Sequence, residues 1–226
     1  MLLATDGRPS ASAAAGLLTR LADPERIEVA ILSAPDPRVE TPDHYVQELL
    51  DATGHVLTEA GLSCRSIRRD EEPASAVEKE ATGDTYGVVV LGAGNHTWGG
   101  EIVLGSVTSH VLRTVPVPIL LVHRRPHRPG DPLRVLVGAD GSPAASHAID
   151  TLMRLTEPAR VDISVRTVTR APEMVIRGHA SVGGGAAMAT PEGEVDLAAA
   201  RLERALERLR AEGFHPRGSI GLGWPA

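Results

Sequence analysis

The chain has 226 residues, 42% of them apolar and 23% charged, which is the balance of a globular protein with one large domain or two small ones. Aromatic residues make up only 2% (Tyr45, Tyr86, Trp98, Phe214 and Trp224), which excludes a stacking groove for single-stranded nucleic acid and an aromatic-lined sugar or amine pocket. The net charge of −6 argues against nucleic acid or a membrane as partner, and the single Cys64 allows no internal disulfide, as in a reducing compartment.

Residues 1–5 read as a short apolar strand. Asp6-Gly7-Arg8-Pro9-Ser10 reads as a turn, in which glycine permits the bend and Pro-Ser opens a helix over 10–22. Asp23-Pro24 stops that helix, and 27–34 form a second strand. A helix over 42–60 closes at Gly61, and a third strand follows over 62–68, with Cys64 expected to be buried in it. Pro73 starts another helix, running to about Thr82. Val88-Val89-Val90-Leu91 is a continuous apolar run, as in a parallel strand buried on both faces. A glycine-rich loop over 92–100 comes next, then a helix over 101–113 and a last strand over 117–122. Alternating strands and helices predict a parallel α/β sheet with right-handed crossovers.

The chain then repeats itself. Leu2-Leu3-Ala4-Thr5-Asp6-Gly7-Arg8-Pro9 aligns with Leu136-Val137-Gly138-Ala139-Asp140-Gly141-Ser142-Pro143. Without a gap, Leu18 then meets Leu152, Arg20-Leu21 meets Arg154-Leu155, and Ile27-Glu28-Val29 meets Val161-Asp162-Ile163. Residues 123–132 read as a Pro-rich linker, where Pro126 argues against a helix that would bring His123 and His127 to one metal. Residues 171–192, around Gly183-Gly184-Gly185, read as a surface loop. A helix over 194–212 pairs Glu203 and Glu207 with arginines, and 214–222 match the third strand. Nothing corresponds to the fourth strand, the glycine loop, the last helix or the fifth strand. The expected organisation is therefore a complete domain over 1–122, a linker over 123–132 and a partial copy over 133–226. Strand one starts at Met1, whereas its copy starts at Pro132, so a few residues are expected ahead of Met1.

The chemistry is expected at Gly92 to Thr108, a glycine-rich segment between a buried strand and a helix. In open α/β sheets ligands bind beyond the carboxyl ends of the strands, where backbone N–H groups and a helix N-terminus favour phosphate. Three phosphate or nucleophile motifs fail on single residues. Thr97 stands where the dinucleotide fingerprint needs its last glycine. Neither Gly99 nor Gly105 is followed by lysine, as a Walker loop requires, and no serine has glycines two residues to either side. The Gly105-Ser106 pair within an expected helix argues against a bland connection, because glycine costs a helix about 1 kcal/mol.

These residues resemble the universal stress protein family. Its nucleotide-binding branch carries Gly, two residues, Gly, nine residues, Gly, then Ser or Thr. Gly92, Gly105 and Ser106 fit, and Asn95 holds the second glycine position. Asparagine is the non-glycine residue best suited to a left-handed backbone, but its side chain can crowd a phosphate. Thr5-Asp6-Gly7 looks like the family's first-strand motif, and Ala34 matches the position whose backbone meets adenine. Residues 116–122 resemble the strand that pairs with a partner domain. The resemblance implies a flavodoxin-like parallel five-stranded sheet of order 3-2-1-4-5. It implies ATP, with Mg²⁺ as an optional companion, held by Thr5, Asp6, Ala34, Gly92, Asn95, Gly105, Ser106 and Val107.

Several of these residues have a plainer role open to them. Asp6 suits a helix N-terminus and Ser106 suits a cap. His96 and Trp98 could cover a nucleotide or merely decorate the loop. In the partial copy, Asp140 and Val168 match Asp6 and Ala34 with no phosphate loop beside them. No base and nucleophile pair stands out, so slow ATP hydrolysis is the most expected of the site. The reading is a cytoplasmic, nucleotide-responsive stress or regulatory protein, homodimeric through 117–122, with neither nucleic acid nor membrane as partner. The alternatives are a nucleotide-free dimerisation module, if Asn95 blocks the phosphate, and an adenine-nucleotide α-hydrolase-like enzyme. The latter is disfavoured because its Ser-Gly-Gly-x-Asp-Ser loop is absent after strand one.

Overall fold

The computed structural model describes residues 1–83, 85–93, 96–98, 101–123, 132–169 and 191–223. The chain divides into two compact units, Met1–Leu133 with Arg154–Arg160, and Arg134–Met153 with Val161–Ala226.

The first unit opens with β1 (Leu2–Ala4), α1 (Pro9–Leu21), β2 (Glu28–Ser33), α2 (Asp43–Glu59), β3 (Ser63–Arg68), α3 (Pro73–Ala81) and β4 (Val89–Gly92). A short antiparallel hairpin follows, β5 (His96–Trp98) and β6 (Glu101–Val103), then α4 (Ser106–Thr114) and β7 (Ile119–Val122). The main sheet has the order β3-β2-β1-β4-β7, and every pairing in it is parallel. Its fifth strand in sequence is β7, so this is the 3-2-1-4-5 order expected of the complete copy.

Burial on both faces explains the strand composition. In β2 five consecutive residues, Val29 to Ser33, are buried, with no alternation. Leu2, Leu32, Val89 and Leu91 face a core shared with Val77 of α3 and Val111 of α4. Pro9 and Pro73 each supply the fixed φ of a first helical turn. Gly61, at φ +84°, ends α2 while Leu62 N–H donates back to the Leu57 carbonyl.

The expected helix over 101–113 is corrected. Residues 101–103 belong to the hairpin and α4 begins at Ser106, so Gly105 is the residue before the helix and not inside it. The sequence carried the signal, since β-branched Thr97, Ile102 and Val103 flank a Gly-Gly pair, the composition of a tight hairpin. Cys64 is half-buried, not buried, with its Sγ 3.6 Å from the Gly54 carbonyl oxygen.

Then follow β8 (Leu133–Gly138), α5 (Pro143–Leu155), a 3₁₀ turn over Pro158–Arg160, β9 (Val161–Thr169), α6 (Pro191–Ala211) and β10 (Arg217–Leu222); the 3₁₀ turn and the end of α5 group with the first unit, and the rest, from Arg134 on, forms the second. Its sheet has the order β10-β9-β8. Here the burial does alternate. Val161, Ile163, Val165 and Thr167 are buried, whereas Arg166 and Val168 are exposed. Period-two burial is the mark of a sheet covered on one face. On α6, Arg210 pairs with Glu203 at 2.8 Å. The linker, apart from His123 and Pro132, and the surface-loop expectation over 171–190 lie outside the described residues.

Candidate functional site

The first unit carries a cleft of about 690 Å³ at the carboxyl ends of its strands, a volume within the usual range for small-molecule sites. Segments far apart in sequence meet there, Pro73 and Val77 of α3 among them. The turn after β1 brings Thr5, Asp6 and Arg8. The end of β2 brings Leu32 and Ala34. The end of β4 and the start of α4 bring Gly92, Gly105, Ser106, Val107 and Thr108. Seven of the eight residues expected at the site therefore line one cleft. The eighth, Asn95, lies outside the described residues, as do the side chains of His96 and Trp98.

Local chemistry fixes the β1 turn. Gly7 has φ +76°, a conformation that side chains rarely adopt, and a Cβ there would meet the Tyr45 hydroxyl at 3.2 Å. Thr5 is buried, and its N–H donates to the Leu32 carbonyl at 2.9 Å. The Asp6 carboxylate accepts the Arg8 N–H at 3.0 Å and lies 3.4 Å from the Arg8 Nε. Asp6 therefore organises the turn in addition to facing the cleft.

The two glycines of the motif do different work. A Cβ on Gly92 would lie 2.6 Å from the Ser10 carbonyl carbon and 2.7 Å from the Ala11 nitrogen, so β4 can approach the start of α1 only through glycine. Gly105 has an ordinary φ of −64°, and a Cβ there would meet no atom of the described residues within 4 Å. Neither backbone strain nor packing against the described residues calls for glycine at 105. The space its missing side chain leaves belongs to the cleft.

Helix N-termini set the electrostatics. The first N–H groups of any helix lack intrahelical partners and carry partial positive charge. Neither α1 nor α4 receives a side-chain cap, from Arg8 or from Gly105, and both first turns line the cleft. By contrast α3, whose Val77 also lines it, is capped by the Glu72 carboxylate, which accepts the Ser75 N–H at 2.9 Å. Ser106 is the first helical residue of α4 and lines the cleft, and the N-cap position falls on Gly105. A hydrogen bond of 2.7 Å between His110 Nε2 and Glu78 Oε2 ties α4 to α3 behind these residues. Apolar walls from Ala4, Leu32, Ala34, Val77 and Leu91 complete a site suited to a flat apolar group at one side and an anion at the other.

Sequence reasoning missed Arg8, Ser10 and Thr108. The helical offset of Thr108 from Gly105 was legible; the approach of Arg8 to the cleft was not. Among the described residues no group of three or more His, Cys, Asp or Glu is placed to hold a metal ion. No helix among them is long and apolar enough to cross a membrane.

The model of the Universal stress protein family matches residues 1–123. A universal stress protein from Archaeoglobus fulgidus DSM 4304 has a similar structure, with TM-score 0.67 and 21% identity over 100% of this chain and 79% of its own. A protein of that family from Burkholderia pseudomallei gives 0.39 and 22%, over 54% of this chain and 92% of its own. One from Arabidopsis thaliana, solved with AMP bound, gives 0.43 and 15%, over 57% of this chain and 97% of its own. At these identities it is the fold that is shared. No curated protein matches the sequence.

Proposed function

The chain belongs to the universal stress protein family, and from that premise we propose that its first unit is an adenine-nucleotide-binding regulatory module. The observation that carries this reading is Gly105. It is a glycine that neither its backbone angles nor packing against the described residues requires, at the uncapped start of α4, and it opens the cleft where a phosphate would meet free N–H groups.

The remaining residues then divide the ligand between them. Thr5, Asp6 and the Ala34 backbone take the adenosine end, where Leu32 and Val77 supply apolar surface. Gly92, Ser106 and Val107 take the phosphates, with Asn95 at the family's second glycine position. ATP is the ligand we favour. Asp6 is the one carboxylate among the described lining residues and is already engaged with Arg8, so Mg²⁺ would ride mainly on the phosphates. The described lining holds no His, Cys or Lys to activate water, which supports binding with slow hydrolysis at most. Residues 1–122 act as the complete domain, 123–132 as the linker and 133–226 as a partial copy without a phosphate loop. We place the protein in the cytoplasm.

A second reading, a dimerisation module that works without nucleotide, draws on β7. That strand ends the sheet, and Ile119, Leu120 and Leu121 on it are only half-buried. Such an apolar edge invites a partner strand, so we expect a homodimer in either case. Calorimetric titration with ATP, ADP and AMP separates the two readings. Heat and a raised melting temperature support the nucleotide reading, whereas no response at millimolar ATP removes it. Light scattering that returns a monomer removes the dimer.

A further inference from the structure

The described lining of the cleft holds a single cation, Arg8, at a position where the fold would be better served by another residue. The chain itself supplies the comparison. The turns after β1 and after β8 are built alike. Each has a glycine at positive φ, Gly7 at +76° and Gly141 at +81°. In each an aspartate accepts the N–H two residues on, Asp6 from Arg8 at 3.0 Å and Asp140 from Ser142 at 2.8 Å. In each a proline then opens the helix, Pro9 in α1 and Pro143 in α5.

The residue before the proline differs, and so does its work. The Ser142 hydroxyl accepts the Ala145 N–H at 3.1 Å, which is a side-chain cap on α5. Arg8 makes no such bond to α1. A cation at a helix N-terminus is also opposed by the helix dipole. The contact of Arg8 with Asp6 does not offset this, because their side chains are 77% and 57% exposed and water screens such a pair. Folding gives no reason for arginine here.

The cleft does give one. The first turn of α1 lies directly against the start of the glycine loop, since a Cβ on Gly92 would collide with the Ser10 and Ala11 backbone. Arg8, the N-cap residue of α1, lines the same cleft as Gly92, Gly105 and Ser106. Its Nε faces Asp6, which leaves the two terminal nitrogens to offer parallel N–H donors to a pair of phosphate oxygens.

We propose that Arg8 is a specificity-determining residue of the cleft, which binds ligand phosphate and makes the site select phosphorylated nucleotides over nucleosides. This deepens the nucleotide reading and rests on it. Each added phosphate brings more negative charge to the same cation, so dependence on Arg8 rises from AMP to ATP and weakens with salt.

The test uses the full chain and its Arg8→Ser and Arg8→Lys variants, titrated with adenosine, AMP and ATP and melted without ligand. Arg8→Ser installs the hydroxyl that caps α5, so it should melt about 2–4 °C higher than the parent. Its adenosine affinity should stay within about two-fold, while ATP binding weakens by about ten- to a hundred-fold. Arg8→Lys keeps the charge without the fork and should fall between. Equal losses for adenosine and ATP, or a lower melting temperature for Arg8→Ser, would assign Arg8 to the fold and overturn the proposal. Unchanged ATP binding in Arg8→Ser overturns it while the nucleotide reading stands. A parent protein that binds none of the three ligands overturns both.

Discussion

Gly105→Val separates a glycine kept for a ligand from a glycine kept for the fold. The residue sits at φ −64° and ψ 162°, a conformation that valine adopts readily, and the added Cβ meets no described residue within 4 Å. Two stability effects then oppose each other. Valine is a poorer residue than glycine before a helix, which costs about 0.5–1 kcal/mol. Glycine's extra freedom in the unfolded chain disappears, which returns about 0.4–1 kcal/mol. The net change stays within about 1 kcal/mol, so the melting temperature should move by less than about 4 °C for a chain of this length. Binding behaves differently. A phosphate held by the first N–H groups of α4 needs donor–acceptor distances of about 2.9 Å, and the valine methyl groups occupy the approach to them. We expect ATP affinity to fall at least about a hundred-fold. Thermal melting and calorimetry on one preparation give both numbers. ATP binding within about three-fold of the parent would place the phosphate elsewhere and refute the reasoning. So would a large loss of stability, which would show that the open space around Gly105 serves packing.

Gly92→Ala should do the reverse, because its Cβ would sit 2.6 Å from the Ser10 carbonyl carbon; a loss of about 1–3 kcal/mol should appear as a lower urea midpoint, and an unchanged midpoint would contradict the close approach. Buried Tyr86 accepts a hydrogen bond from Arg65 at 2.6 Å and donates one to Glu80 at 2.9 Å, so Tyr86→Phe should cost about 1–2 kcal/mol by urea denaturation, and no loss would show that the bridge is idle. Hydrogen bonds from the Arg38 guanidinium, and then from its backbone N–H, pull the Asp36 pKa down to about 2. In the unfolded chain the group titrates near the ordinary value of about 3.9, so the stabilisation is complete above that pH and is lost as pH falls towards 2. A carboxyl NMR titration should find the low midpoint, and a midpoint near 4 would remove the ion pair from the solution structure.

Most of the fold was legible because its causes are local. Proline at a first helical turn, glycine at φ +84° after α2 and an unbroken apolar run in β4 each act within a few residues. The 3-2-1-4-5 order came from the family resemblance, since strand order depends on contacts between distant segments. The reading failed at residues 101–103, where the expected start of a helix met a hairpin. Only three residues pair on each of its strands, too few for a two-residue period to stand out against a neighbouring helix.

The candidate site was legible as a set of residues but not as an arrangement. Thr5, Asp6, Ala34, Gly92 and Gly105 could be named from the family resemblance, and those residues do line one cleft. Which glycine is pinned by packing and which stands open could not be named, because the answer depends on how closely β4 approaches α1. Arg8 was passed over for the same reason. In sequence it is one residue of a turn; in the structure it gives up a cap that Ser142 makes and faces the cleft.

The sequence by itself determined most of the elements and their parallel α/β character, because backbone conformation and hydrophobic period are written in near neighbours. Tertiary structure alone decided what faces what. Parallel strands bring β1, β2 and β4 together at one end of the sheet from positions almost ninety residues apart. Packing distances there, unlike propensities, are properties of pairs of segments, and they make Gly92 a contact and Gly105 an opening.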